Sequence, residues 1–281
     1  MYHKTVCELR DLTYVYPGEA ADDTEAPGAA LKDITLSIHE GEWVALLGAN
    51  GSGKSTLAKH LNALLTPSQG ECIVYGLNTA DEDNTFAIRS SVAMVFQHPE
   101  NQIVGTVVEE DAAFGPEHLG IPPEEIGRRV EKALSDAGLL EKRKKPTYTL
   151  SGGEKQRLAV AGALAMNTPC IVLDEPTAML DPEGRSALLD VLAKLHHEGR
   201  TIIYITHRLE ETALCDRAVI LHEGRIAWDG PSGEVFLADL PLEKWGIDVP
   251  PLVSLWKELK AESWPVPPAP TVAAMADALC P

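Results

Sequence analysis

Nine consecutive residues, Gly48-Ala49-Asn50-Gly51-Ser52-Gly53-Lys54-Ser55-Thr56, have the composition and spacing to hold a polyphosphate. They fit G-x-x-x-x-G-K-[ST]. Glycines let the backbone curl round a dense anion so that successive N–H groups point inward, and a helix N-terminus adds its positive end. Lys54 is placed to reach the β- and γ-phosphates, and the Ser55 hydroxyl to ligate Mg²⁺. The flanks agree with this. Residues 43–47 are short and apolar, as a buried strand should be, and residues 57–65 carry apolar side chains at helical spacing.

Further groups suit the same chemistry. The apolar residues 170–173 lead straight into Asp174 and Glu175. Behind a phosphate loop, an acid at the strand tip holds Mg²⁺ through water, and the next acid can polarise the water that attacks a γ-phosphate. Without that loop the pair reads equally well as exposed turn acids. Leu150-Ser151-Gly152-Gly153-Glu154-Lys155-Gln156-Arg157 reads first as a helix start, with Ser151 as N-cap and Glu154 three residues on. That capping box leaves Gly152 and Gly153 unexplained, because helical glycine costs about 1 kcal/mol against alanine. They make sense if another surface must approach bare backbone, as a γ-phosphate held by a second subunit would. Gln97, after the apolar residues 92–96, is a carboxamide able to ligate Mg²⁺ or hold the attacking water. His207 ends the strand pattern of residues 201–206, where its partners would be the γ-phosphate and Glu175.

The elements that must position these groups follow from periodicity. Residues 6–16 alternate as an edge strand, and Ile34, Leu36 and Ile38 alternate with polar residues as a half-buried one. Residues 22–28 form a polar turn or loop. An aromatic just before Pro17-Gly18 is placed to stack on a purine; Tyr16 is the first choice and Tyr14 the alternative, against the plain reading of a strand aromatic. Residues 70–75 read as a further strand. Residues 106–145 read as helical, with a start at Thr106 and another at Pro122, where acids follow in the first turn. Lys142-Arg143-Lys144-Lys145 is the one dense basic run and reads as a solvated helix end. Met179-Leu180-Asp181-Pro182 turns into a helix, and residues 218–221 and 225–228 form a hairpin. Residues 265–270 are proline-rich and cannot be continuous helix.

The length of 281 residues allows one large α/β domain, alone or with a small appendage. No apolar run approaches the ~18–20 residues needed to span a bilayer, and no secretory core is visible. A soluble, cytoplasmic chain is expected. The net charge of −18 argues against nucleic-acid binding and against adsorption to anionic lipid. It suits a basic protein partner as well as plain solubility. The five cysteines form no C-x-x-C pair and are odd in number, as expected of thiols in a reducing compartment.

Taken together, GANGSGKST, Gln97, LSGGEKQR, IVLDE, the MLDP turn and Thr206-His207 occur in the order of the ATP-binding cassette ATPases, which this chain resembles over about residues 6–240. The resemblance implies an α/β fold: a P-loop NTPase (RecA-like) core, an antiparallel β subdomain and a helical signature subdomain at about 98–165. It implies ATP and Mg²⁺ as ligands, phosphate contacts from Gly48 to Thr56, base stacking by Tyr16, and metal contacts at Ser55, Gln97 and Asp174. It also implies contact from Ser151, Gly152, Gly153 and Glu154 to the γ-phosphate held by a partner subunit. Glu175 becomes the catalytic base, His207 a γ-phosphate switch, Lys54 a charge neutraliser, and Asp181 a residue at the dimer seam. Glu154 departs from the commoner Gln and adds negative charge near a phosphate.

Phe96-Gln97-His98-Pro99-Glu100-Asn101-Gln102 and the run to Gly115, with MetLeuAspPro, are similar to the energy-coupling factor transporter ATPases. Those work at the cytoplasmic face of the membrane as paired cassettes, identical or not. They carry a transmembrane T component and a substrate-binding S component for a vitamin or transition-metal ion. Residues 241–281 correspond to the C-terminal extension that contributes dimer contacts there. Arginine on the T component is expected to meet Glu109, Glu110 and Asp111. The rival readings are an importer fed by a soluble binding protein, a cassette of repair, translation or cofactor assembly, and a P-loop kinase. The stretch 97–115 disfavours the first. The absence of a coiled-coil insertion, of a second cassette and of basic charge disfavours the next. LSGG has no place in the last.

Overall fold

The computed structural model describes residues 4–17, 28–266 and 272–279. Most of the expected polar turn at 22–28, residues 267–270 of the proline-rich run and Cys280 lie outside them. The chain opens with β1 (Thr5–Tyr14), β2 (Leu31–His39), β3 (Trp43–Leu47) and α1 (Lys54–Leu61). Then come β4 (Gln69–Val74), β5 (Leu77–Asn78), α2 (Thr85–Ser91), β6 (Val92–Val95), α3 (Val108–His118) and α4 (Pro123–Asp136). Next are α5 (Gly152–Met166), β7 (Cys170–Asp174), α6 (Pro182–His197), β8 (Thr201–Ile205), β9 (Arg217–His222) and β10 (Arg225–Pro231). The chain closes with α7 (Ser232–Leu237), α8 (Pro251–Ala261) and α9 (Val272–Leu279).

Two sheets form. The smaller is antiparallel in the order β2-β1-β4-β5, so β1 lies inside it and not at its edge. Alternation reported that β1 has one buried face; it carries no information on how many neighbours the strand has. The larger sheet runs β10-β9-β3-β8-β7-β6, parallel except for the β9–β10 hairpin. Its central strands are buried on both faces, which is why they read as unbroken apolar runs. Val44 and Leu46 of β3 enter the core between the sheets, while Trp43, Ala45 and Leu47 face the opposite layer with α5 and α6.

A third apolar cluster holds α3, α4 and part of α5 together, through Val108, Ala112, Val130, Leu134 and Leu158 among others. The helical reading of 106–145 holds for α3 and α4 but not beyond Asp136. Gly138 takes a left-handed conformation, φ +66, which ends the helix, and short turns follow. The basic run therefore lies in a turn. Lys142 pairs with Glu154, and Lys144 and Arg143 with Glu109. Helix α1 is also shorter than its apolar spacing implied, closing at Leu61. The packed core continues past residue 240: Leu242 and Ile247 are buried in the layer that covers β3 and β8. The four described cysteines are buried free thiols.

Candidate functional site

Strand β3 delivers its chain to the mouth of a cavity of about 530 Å³. Gly48 leaves the strand at φ +148, and a Cβ there would lie 2.3 Å from the Leu221 carbonyl oxygen of β9, so only glycine fits. The loop then turns through Asn50, Gly51 and Gly53 into α1. Lys54 is buried, and its ammonium donates to the carbonyls of Gly48 and Ala49, each at 2.8 Å. Burial lowers the Lys54 pKa, with Glu175 and Asp174 acting in the opposite direction.

Asn50, Gly51, Gly53, Lys54, Ser55 and Thr56 all line this cavity, as do Tyr16, Gln97 and Glu175. Tyr16 and Tyr14 part company: Tyr14 is core, while the Tyr16 ring stands edge-on to it at 4.9 Å and its hydroxyl sits 2.9 Å from the Thr56 hydroxyl. The wall also includes residues that sequence reasoning missed: Ala29, Ala30, Lys32, Glu223 and Gly224. The β9–β10 turn stitches this wall together. Gly224 N–H donates to the Ser52 carbonyl, and Lys32 N–H to the Gly224 carbonyl. No local pattern announces that role, because it depends on β9 lying beside β3.

Two acids follow at the end of β7, of which Glu175 lines the cavity. Asp174 ends β7 and is 3% exposed, and its Oδ1 has no hydrogen-bond partner among the described residues. Burial raises its pKa, the Ser55 hydroxyl pulls the other way, and the Glu175 charge adds to the rise. A buried carboxylate oxygen lacking a donor, beside a serine hydroxyl, is a hard oxygen pair that fits Mg²⁺.

Glu175 sits at φ +48, a conformation that costs a side-chain-bearing residue about 1–2 kcal/mol. The surroundings over-determine it. Its N–H donates to the Ile205 carbonyl, Gln97 Nε2 donates to its Oε2 at 3.2 Å, and His207 Nδ1 lies 3.4 Å from its Oε1. Gln97 thus spends its amide donor on the acid.

Ser151, Gly152, Gly153 and Glu154 are elsewhere, at the N-terminus of α5, and none of them lines the cavity. The expected capping box is present there. Gly153 has a reason within its own chain, since a Cβ would stand 3.0 Å from the Met179 carbonyl oxygen. Gly152 is exposed, with Met179 as its nearest neighbour. The Glu154 charge is absorbed locally: Lys142 first, then the Ser151 backbone, hold its carboxyl down to about 2. Asp181 caps α6, its Oδ1 accepting from Gly184 N–H at 2.8 Å. Asp111 turns inward, its Oδ1 accepting from Val104 and Gly105 N–H groups, and Glu109 is already paired with Lys144 and Arg143. Neither is a free acid for a partner's arginine, whereas among the described residues the Glu110 carboxylate accepts from the Thr106 hydroxyl and forms no ion pair.

The profile of the ABC transporter family matches residues 31–178. The chain belongs to this family. It is an ABC ATPase, and ATP is its ligand. Across 91% of its length it is 49% identical to the energy-coupling factor transporter ATP-binding protein EcfA1 of Symbiobacterium thermophilum, covering 90% of that protein. It is 45% identical to EcfA of Methanosarcina acetivorans, over 92% of this chain and 91% of that one. Among solved structures it is similar to cbiO1 of Clostridium perfringens, described as part of the ABC transporter complex cbiONQ, with a TM-score of 0.73 and 34% identity over 90% of this chain and 99% of that one. A dimeric ATP-binding cassette in a post-hydrolysis state with ADP and Pi gives 0.73 and 30%, over 80% and 98%. No helix among the described residues is long and apolar enough to cross a membrane.

Proposed function

We propose that this ABC ATPase is the peripheral, cytoplasmic-face motor of an energy-coupling factor importer for a vitamin or transition-metal ion. The observation that carries the reading is the split site. Residues of the phosphate loop, Glu175 and Gln97 line one cavity, with Asp174 buried behind Ser55, while the Ser151–Gly153 backbone lies outside it, which suits a nucleotide held by another subunit. Two cassettes closing on two ATPs complete both sites. In that closure Lys54 exchanges the Gly48 and Ala49 carbonyls for phosphate oxygens. Tyr16 stacks on the base, and Ser151, Gly152 and Gly153 present N–H groups and a hydroxyl to the partner's γ-phosphate.

Glu175, held by Gln97 and His207, orients water in line with the γ-phosphate and accepts its proton. Ser55, Asp174 and Gln97 would hold Mg²⁺, which supplies charge neutralisation on the phosphates when bound. Loss of the bridging phosphate lets the pair reopen. Residues 241–281 would add contacts between the two cassettes.

A groove on α3 and α4 suits the membrane partner. Over an apolar floor of Ile126 and Val130 its lining carries Glu110, Glu117, Glu124 and Glu131 beside two arginines, Arg128 and Arg143, that pair with Glu125 and Glu109. An arginine-bearing helix of a T component complements it. The test is affinity purification of the full chain from detergent-solubilised membranes. Recovery with an integral membrane protein and a second cassette is the expected result. Recovery of the chain alone overturns the assignment.

A further inference from the structure

Glu211 is 3% exposed, lies outside the nucleotide cavity, and is nonetheless the most heavily engaged acid near it. Its Oε2 accepts from the Tyr204 hydroxyl at 2.8 Å and the Thr206 hydroxyl at 2.7 Å. Its Oε1 accepts from the Thr177 hydroxyl at 2.9 Å and lies 3.5 Å from Arg185 Nε. A buried carboxylate is costly unless so surrounded, and well-packed apolar residues could fill the same volume at no loss of stability. Packing alone therefore does not account for a charge at this position.

Three of the partners, Thr177, Thr206 and Arg185, adjoin the loops of the site. Thr177 stands two residues after Glu175 and opens the loop to Asp181. Arg185 is on α6, whose N-cap is Asp181. Thr206 immediately precedes His207, and its oxygen also accepts from Arg208 N–H. One carboxylate thus grips both ends of the 178–181 loop and the root of the His207 loop. The same 178–181 loop packs on the α5 N-terminus, where the Met179 carbonyl fills the space beside Gly153.

We propose that Glu211 is a positioning residue that couples the Asp181 loop to His207, so that engagement of a partner cassette at the loop sets the hydrolytic geometry at Glu175. It touches no reacting atom. Moving the loop drags Thr177, and Glu211 hands the displacement to Thr206 and His207.

This inference rests on the paired-ATPase reading, and the experiment separates the two. The full chain, in the assembly it purifies with, is assayed for ATP hydrolysis, ATP affinity by fluorescent-nucleotide displacement, and melting temperature. Glu211→Gln and Thr177→Val should each lower kcat about tenfold, with ATP affinity unchanged and the Hill coefficient for ATP falling toward one. Tyr204→Phe, which removes a donor anchored in β8 and not in either loop, should keep kcat and the Hill coefficient. Wild-type turnover matched by the Glu211 and Thr177 variants sinks this inference alone. So does a joint fall in affinity, kcat and melting temperature, which marks a structural acid. A wild type with no ATP hydrolysis sinks the underlying reading instead. Thr177→Val leaves the charge in place and keeps the test decisive if Glu211→Gln fails to fold.

Discussion

The Glu175 carboxylate and the His207 imidazole face each other across 3.4 Å, and Gln97 holds the carboxylate's other oxygen. A base so placed should be indispensable for turnover and irrelevant to binding. Glu175→Gln is expected to lower ATP hydrolysis by about 10²–10⁴-fold. Its ATP affinity should stay at the wild-type level, and ATP should hold it in a closed pair detectable by size-exclusion chromatography. Phosphate release at more than a tenth of the wild-type rate, a margin of about 1.4 kcal/mol in the barrier, would contradict the assignment.

The Tyr16 ring lines the cavity and is itself tethered through its hydroxyl to that of Thr56. Removing the ring in Tyr16→Ala should weaken ATP binding by about 1–3 kcal/mol, the usual worth of stacking a base on an aromatic side chain. Tyr16→Phe keeps the ring and loses only the contact to Thr56, worth about 1 kcal/mol. Fluorescent-nucleotide titration should order them wild type, Phe, Ala. Equal affinities for wild type and Ala would place the base elsewhere.

The Glu154–Lys142 pair predicts a pH window. The folded Glu154 carboxyl titrates at about 2, below the 4.5 of an unperturbed glutamate. The unfolded chain therefore binds the extra proton between those values. The stabilisation from this group is complete above about 4.5 and is lost as pH falls through about 2. Glu154→Gln keeps the oxygen that accepts from Ser151 and drops the ion pair. Its urea midpoint should lie below the wild type at pH 7, and the gap should narrow below pH 4.5. A gap independent of pH would show that the pair contributes nothing.

The C-terminal segment reaches back to the phosphate loop. Gly246 adopts φ +70, and a Cβ there would stand 2.7 Å from the Ala49 Cβ. Gly246→Ala is expected to cost about 1–2 kcal/mol in backbone strain alone. It should also weaken ATP binding, because Ala49 carries the carbonyl that holds Lys54. Gly233→Ala, with open space round its Cβ, serves as the control and should leave affinity unchanged. Unchanged ATP affinity in Gly246→Ala, with only the melting temperature lowered, would uncouple the segment from the site.

Chemistry written in contiguous residues was legible in the sequence. The phosphate loop, the 174–175 acids, the capping box at Ser151 and the apolar strands of the larger sheet all announce themselves locally. What escaped depends on residues far apart in the chain. Nothing near Glu154 says that Lys142 folds back to neutralise it. Nothing near Asp111 says that Val104 and Gly105 turn their N–H groups on it, so an acidic triplet looked like three free charges. Nothing near Gly153 says that the Met179 carbonyl of the same chain also leaves no room for a side chain there. The cavity wall at Lys32 and Gly224 exists only once β9 has taken its place beside β3.

That placement sets a timetable for synthesis. Strand β3, which delivers the loop from Gly48 onward, has β8 and β9 as its two flanking strands, and both lie more than 150 residues downstream. A ribosome releases the phosphate-loop signature early, yet β3 beneath it has neither flanking strand until residue 205 has emerged and lacks the second until residue 222. A message cut short before residue 201 yields a product that carries the motif without either strand that flanks β3.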